Sequence, residues 1–570
     1  NASGKIDRDA LSSLTIAETK TASRRAGDQV EAEVAQIVAD VLDRDTVALD
    51  DDFFTLGGHS IAATRLAARL RTVFGVDIEL ASIFEQPEIA AIARMVADAL
   101  ASGRPAAMPA IARRETGLPS PLSFAQSRLW FLDRMGLMGS AYHSPVSLKL
   151  RGNLDERAIE AALNALVERH EPLRTIFEEI DGTPRQIVMA DAQVPVARID
   201  LSLLSGREQE IALRRAIAQA EREPFDLARD LPIRLLLVHL GPADWVLTFV
   251  FHHIAFDGWS LPIVAREMTE LYNAICKRRP PVLPPLPIRY ADFAVWQREW
   301  LEGPAMADLL AKWRRRLEGV PELDLATDFE RTPVQAYRGG LHRIEWPRDL
   351  ADRLLATARE HRSTLFMLLL AGFKALLHRY SGQQQIVVGS PVANRMHEEV
   401  QGLVGFFVNS LVLATDFGGD PTFDELLARV RANTLEAYAH QDLPFEKLVE
   451  ELRPDRDLSR HPLFQTVFVL QQSDAMLPDF RFDGVESELL DLGEVAVRFD
   501  LEAHLFLAPD GLRGYLFYDR DLFMPETIDR LERHFQTLLE NVVQDPTQRI
   551  SGLSLLSPEE DAAMKDWSHA

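Results

Sequence analysis

The sequence predicts a multidomain protein, with a small all-helical unit over residues 29–100 followed by a larger α/β body from about residue 119. Three observations carry this. At 570 residues the chain is too long for one core, since domains run to about 100–200 residues. Over 29–100 the apolar residues recur at helical spacing. From 119 onward amphipathic helices alternate with short apolar strands. The order of helix then strands runs twice, which predicts two related α/β lobes without sequence identity between them.

Composition narrows the class. Hydrophobic content of 47% and charged content of 26% are those of a soluble globular protein. A net charge of −24 argues against nucleic acid as a partner, because neutralising phosphates takes clustered Lys and Arg. Cys276 is the one cysteine, so no internal disulfide forms and a reducing, cytoplasmic compartment is expected. No run approaches the ~20 apolar residues of a membrane span. The start at Asn1, without methionine, fits a piece of something longer, and a monomer is expected.

Residues 1–28 read as tail and linker. The helix over 30–42 buries Val34, Ile37, Val38 and Val41. An irregular loop with acids at 50–52 and the pair Phe53 and Phe54 leads to Gly57-Gly58-His59-Ser60. Ser60 opens a helix with a stripe of Leu66, Leu70 and Val73, and Pro87 opens the next. Residues 101–118, rich in Pro, Gly and small residues, form an interdomain linker. Beyond it come a helix over 154–170 and strands over 173–180 and 186–188. Strands over 233–240 and 245–251 flank a turn at 241–244. A helix over 261–276 follows, then the stiff run PPVLPPLP at 280–287 between two halves.

In the second half Ser363 caps a helix over 365–380 that Gly382 ends. Strands fall over 386–389, 406–413 and 464–470, with a helix over 422–439. Strands over 504–507 and 514–518 flank Pro509-Asp510-Gly511, and the last helix covers 525–543.

Two stretches carry chemistry. At 252–258, HHIAFDG places His252, His253, Asp257 and Gly258 where a buried strand ends, an edge at which a rigid scaffold can present reactive groups. Adjacent histidines on a strand face opposite ways, so they do not chelate one metal ion. His253 has the pKa range to take a proton or to hold an amine by a hydrogen bond, and sequence does not separate the two. Asp257 reads either as a catalytic carboxylate or as a structural ion. Gly258 lets a backbone approach closely. Ser60, in GGHS, is on its own reading a helix N-cap.

DDFFTLGGHSIAATRL at 51–66 closely resembles the phosphopantetheine-attachment site of a peptidyl carrier domain, with the match running over 29–100. The resemblance implies a four-helix fold and 4′-phosphopantetheine attached to Ser60 Oγ by a phosphopantetheinyl transferase. HHIAFDG resembles the HHxxxDG motif of condensation domains from nonribosomal peptide synthetases. SFAQSRLWFLDRM, RHEPLRTIF, YADFAVWQ, VGSPVANR, GFFVNSLVL and HQDLPFEKLV follow in that family's order. This second resemblance implies a two-lobed fold similar to chloramphenicol acetyltransferase, with lobes over 119–290 and 291–555 and the motif midway along a tunnel between them. It implies His253 and Gly258 at the reaction, His252 orienting the loop, Asp257 paired with a buried Arg395, and Arg174 and Asn409 lining the tunnel. NASGKIDRDAL at the start looks like the end of an adenylation domain, with Lys5 at its lysine, and 556–570 like the approach to another.

The implied function is amide formation. The carrier presents an aminoacyl or peptidyl thioester as donor to an amine on a downstream acceptor carrier, in an assembly line with adenylation domains upstream and downstream. Two rivals share the motif: an epimerisation domain, and an inactive condensation-like platform that recruits tailoring enzymes. DGWS, GFFVNSLVL and the approach to a following adenylation domain resemble condensation more closely. Both motif histidines stand against a platform and against a heterocyclisation domain.

Overall fold

The computed structural model describes residues 28–103, 109–115, 117, 119–136, 139–452, 459–471, 480–490, 496–557 and 560–562. Expectations on residues 1–27, including Lys5, lie outside them. The chain divides into two compact units, Asn1–Ala107 and Met108–Ala570.

The first unit is all helix: Gln29–Val41, Ser60–Phe74, Leu80–Glu85 and Ile89–Ser102. Asp28 caps the first, its carboxylate accepting the Glu31 N–H at 2.8 Å. Val34, Ile37 and Val38 are buried as the spacing predicts. The stripe of the second helix is Ala63, Leu66, Ala67 and Leu70, whereas Val73 is 48% exposed and leaves the expected set. The last helix starts at Ile89 rather than Pro87. Pro87 instead supplies a carbonyl to the Phe53 N–H at 2.9 Å, and Glu88 bridges to Asp52, so both residues stay extended.

The second unit carries fourteen strands among its described residues: β1 (Ser120–Pro121), β2 (His143–Gly152), β3 (Thr175–Ile180), β4 (Thr183–Val188), β5 (Val196–Asp200), β6 (Ile233–Gly241), β7 (Asp244–His252), β8 (Gly339–Pro347), β9 (Gln385–Val392), β10 (Asn409–Asp416), β11 (Thr466–Gln471), β12 (Val485–Leu489), β13 (Leu501–Ala508) and β14 (Gly511–Asp519). They form a sheet ordered β12-β2-β7-β6-β5, a sheet ordered β10-β9-β11-β13-β14-β8 and a small sheet β1-β4-β3.

β7 is the strand that places the histidine motif. It is central, antiparallel to both β2 and β6. Leu247, Phe249 and Phe251 face one core, shared with the helices Glu156–Arg169 and Leu261–Cys276. Val246 and Val250 face cores on the other side. A strand covered on both faces reads as one apolar run, which is how WVLTFVF appears in the sequence.

The six-stranded sheet is covered by Leu365–Ser381, in which every residue from Leu365 to Leu377 is buried. Lys374 is among them. Its Nζ donates to Leu413 O at 2.7 Å and Thr415 Oγ1 at 2.8 Å, and burial without a carboxylate among these contacts holds its pKa well below the ordinary lysine value. Thr364, not Ser363, caps this helix, accepting the Met367 N–H; Gly382 ends it in the left-handed region. The strand expected from 406 starts only at Asn409.

Two expectations about boundaries change. β12 comes from the second half yet pairs with β2, and Phe480 and Phe482 lie in the first lobe's core, so residues 291–555 are not one lobe. Residues 109–115 pack within the second unit, so 101–118 is not linker throughout. Among the described residues no helix is long and apolar enough to cross a membrane.

Candidate active site

At the end of β7 the chain leaves the sheet as two one-turn helices, His253–Ala255 and Gly258–Ser260. His252 is buried, and its Nδ1 accepts the Ile254 N–H at 3.1 Å, which closes the first turn. Burial, with His143, His253 and Arg234 nearby, holds its pKa well below the usual imidazole range. Its contacts shape the loop.

His253 donates its backbone N–H to Tyr142 O at 2.9 Å. Its Nδ1 lies 3.0 Å from Phe256 O. A carbonyl only accepts, so Nδ1 carries the proton and Nε2 keeps its lone pair. The ring stands edge-on to Tyr142 at 6.3 Å and beside Phe406 at 5.9 Å. Burial first, then the Arg498 guanidinium, pushes its pKa down to about 3, so the imidazole is neutral at neutral pH.

Asp257 and Arg395 form the buried pair that the resemblance implied, 3.2 Å apart. The structure adds two partners. Asp257 Oδ1 accepts the Ser260 N–H at 2.9 Å, and Oδ2 accepts the Phe407 N–H at 3.0 Å. Ser260 Oγ lies 2.9 Å from Asp257 Oδ1 and accepts from Arg395 Nη2 and the Gly405 N–H, both at 3.1 Å. Arg395 Nη1 donates to Val400 O and Leu403 O, and the guanidinium lies over the Phe407 ring at 4.2 Å. Asp257 therefore has its oxygens engaged in joining the two motif regions. At Gly258 a Cβ would meet nothing within 4 Å.

A second buried cluster accounts for RHEPLRTIF. Arg169 Nε and His170 Nε2 reach Glu267 Oε2 at 2.9 and 2.8 Å, and His170 Nδ1 accepts the Val404 N–H at 3.3 Å. These contacts tie the motif to the helix Leu261–Cys276 and to the backbone at Val404. Arg174 does not join His253. Its Nη1 donates to Met189 O at 2.6 Å, and it lines a cavity of about 210 Å³ with Arg169, His170 and Arg289. Asn409 bonds to backbone groups through both ends of its amide. Its amide donates to Gln441 O and Leu443 O, and its carbonyl accepts the Phe445 and Ser410 N–H groups.

Sequence reasoning missed Tyr142, Phe406, Arg498 and the role of Ser260. Ser260, in DGWS, and Phe406, in GFFVNSLVL, lie in stretches that resemble family motifs, while Tyr142 and Arg498 carry no local signal. These two reach the site from segments far apart in sequence.

In the first unit Ser60 is the first residue of its helix, and His59, not Ser60, is the N-cap, with its Nδ1 accepting the Ala62 N–H at 3.1 Å. Burial and then Arg65 hold the His59 pKa down at about 4. Gly57 has φ of +106°, open to glycine alone in practice, and a Cβ on Gly58 would lie 2.4 Å from the Phe53 ring. These residues fit a phosphodiester-linked group. The start of a fifteen-residue helix offers partial positive charge to an anion at Ser60.

The Phosphopantetheine attachment site family matches residues 32–96, and the Condensation domain family matches residues 119–565. A linear gramicidin synthase protein of Brevibacillus parabrevis is 41% identical over 570 residues, covering all of this chain and 11% of that protein. The dimodular nonribosomal peptide synthase of Bacillus subtilis (strain 168) is 39% identical over 581 residues, 99% of this chain and 24% of that protein. The chain thus spans between about a tenth and a quarter of these relatives. Among solved structures the X-domain from teicoplanin biosynthesis is 31% identical with a TM-score of 0.73, over 79% of this chain and all of that one. The four-domain synthetase holo-AB3403, at 22% identity and a TM-score of 0.70 over 79% of this chain and 35% of that one, shares the fold. The chain belongs to the condensation domain family of nonribosomal peptide synthetases, as a phosphopantetheine-attachment domain followed by a condensation domain.

Proposed function

We propose that Ser60 bears the donor arm and that the condensation domain joins the donor to an amine presented by a separate downstream carrier. When attached, the arm supplies a thiol that holds the acyl group as a thioester. The observation that carries the reading is the tautomer of His253. With its proton on Nδ1, Nε2 offers a lone pair to an amine N–H and orients the nitrogen for attack on a carbonyl. An imidazole with a pKa near 3 is a weak base for removing that proton, so the reading favours positioning over proton abstraction. Asp257 holds the loop, and the open space at Gly258 leaves room for close approach of the substrate backbone. Upstream and downstream adenylation domains, the acceptor carrier, a phosphopantetheinyl transferase and a cytoplasmic setting complete this reading.

The test is a transfer assay. Ser60 is loaded with an aminoacyl-phosphopantetheine arm, an acceptor carrier bearing a glycyl arm is added, and both are followed by intact mass. A dipeptide on the acceptor, lost in His253→Ala, is expected. Exchange of the donor α-proton with solvent in the absence of acceptor would point to epimerisation instead. The likeness to the X-domain favours a second reading, a recruiting platform; absent transfer together with tight binding of an oxygenase would support it.

A further inference from the structure

We infer that residues 109–115 are a clip on the condensation domain that sets the length of the carrier's tether. The interdomain stretch looks like eighteen residues of linker in sequence, yet part of it is built into the second unit. Ile111 is 5% exposed and sits in a core with Ile288, Tyr290, Phe293, Val400 and Phe407. On either side of it the backbone is tied to the helix Tyr290–Leu301. Trp296 Nε1 donates to Pro109 O at 2.8 Å, and the Arg114 N–H donates to Asp292 Oδ1 at 3.0 Å. Arg289 Nη2 donates to Arg114 O, and the Arg114 guanidinium meets Glu299 Oε1 at 2.9 Å.

These contacts are of different kinds and converge on one helix. Asp292 is itself buried, accepting from the Arg289 backbone and side chain as well. A segment passing over the surface would not bury an isoleucine and give both flanking peptide groups to side chains.

The consequence concerns reach. The carrier's last helix ends at Ser102 with Gly103 as its cap, and the clip begins at Pro109, six residue steps beyond the cap, at most about 22 Å of extended chain. Without the clip the chain would run to the start of β1 near 119, sixteen steps and about 55 Å. Effective concentration falls roughly as the −3/2 power of tether length, so losing the clip dilutes the tethered donor about fourfold. This rests on the reading of Ser60 as donor.

The experiment uses the full chain with Ile111→Asp and Arg114→Ala together. Hydrogen exchange over 109–115 reports the clip directly; strong protection in the unaltered chain, lost in the variant, is expected. Transfer to a glycyl acceptor carrier is then measured in two ways. In cis, the loaded Ser60 arm serves its own condensation domain. In trans, a loaded His253→Ala chain serves a Ser60→Ala chain that has the unclipping substitutions or lacks them. The expected result is an about fourfold lower rate in cis and an unchanged rate in trans. Equal losses in cis and trans would overturn the inference, making the segment a prop for the site. An unchanged or raised rate in cis would overturn it as well. If the unaltered chain transfers nothing from Ser60, the donor reading fails, and the exchange measurement alone decides the clip.

Discussion

The loop that carries His253 and the loop that carries Ser60 both lead into a helix and both contain glycine, but only the Ser60 loop depends on it for packing, and the two are held in different ways. Around His253 the chain is fastened by polar groups: His252 to Ile254, His253 to Tyr142 and Phe256, Asp257 to Ser260, Arg395 and Phe407. Around Ser60 hydrogen bonds are joined by close packing: the Gly58 N–H donates to Phe53 O, Arg44 donates to Leu56 O, His59 caps the helix, and Gly58 lies against the Phe53 ring. A group that must meet a substrate at one distance calls for a scaffold with its orientation over-determined. A group that carries its cargo on a long arm calls only for presentation.

The comparison can be broken first at Asp257. Asp257→Ala strands Arg395 in the interior, and loss of one member of a buried pair costs roughly 3–5 kcal/mol. Denaturant unfolding of the second unit is expected to show this loss together with lost transfer; a stable but slow variant would return Asp257 to a catalytic role. Gly58→Ala comes next. The added methyl would overlap the Phe53 ring and its carbonyl at 2.4 and 2.5 Å, so the first unit is expected to lose more than the ~1–3 kcal/mol of ordinary overpacking, with phosphopantetheinylation falling alongside, as read by intact mass.

The pH dependence follows from the depressed histidines of the second unit, His143, His440, His461 and His534 together with the motif pair. The folded pKa of His253 is about 3, and that of His252 is also well below its ordinary value of 6.5. The unfolded chain therefore binds more protons in this range, and stability is full above about pH 6.5 and falls as pH drops toward 3. The melting temperature of the second unit between pH 7 and pH 5 is expected to decline, and His253→Asn is expected to flatten the slope. A smaller change is expected for His59→Ala, an N-cap loss of about 1 kcal/mol in the first unit, visible in its thermal melt. The smallest change in stability sharpens the contrast most. A methyl in Gly258→Ala meets no atom within 4 Å, so the melting temperature is expected to stay the same while transfer drops, because the methyl would occupy space needed by substrate.

Much of this was legible in the residues. The helical stripes, β7 between its turn and His252, the Gly382 stop and the order of motifs all rest on neighbours within a few positions, and short-range periodicity encodes them directly. Strands such as β5, β8 and β12 were not legible, because half-exposed edge strands lack a continuous apolar run. Arg174 and Asn409 illustrate the other limit. Both occur in stretches that resemble family motifs, yet one bonds Met189 and the other pins 441–445, since a motif marks a position without saying where its side chain points.

By itself, the sequence determined the two kinds of unit, the attachment serine and the histidine pair at a strand end, because each is written in contiguous residues. Only the tertiary structure decided that Nε2 of His253 keeps the lone pair, that Asp257 is committed to Ser260, Arg395 and Phe407, that β12 crosses to the first lobe, and that 109–115 belongs to the condensation domain. The Arg395 partner of Asp257 lies 138 residues away, and the Asp292 partner of Arg114 178 residues away. Such pairings come from which surfaces bury each other, a property of the whole packed chain that no local pattern records.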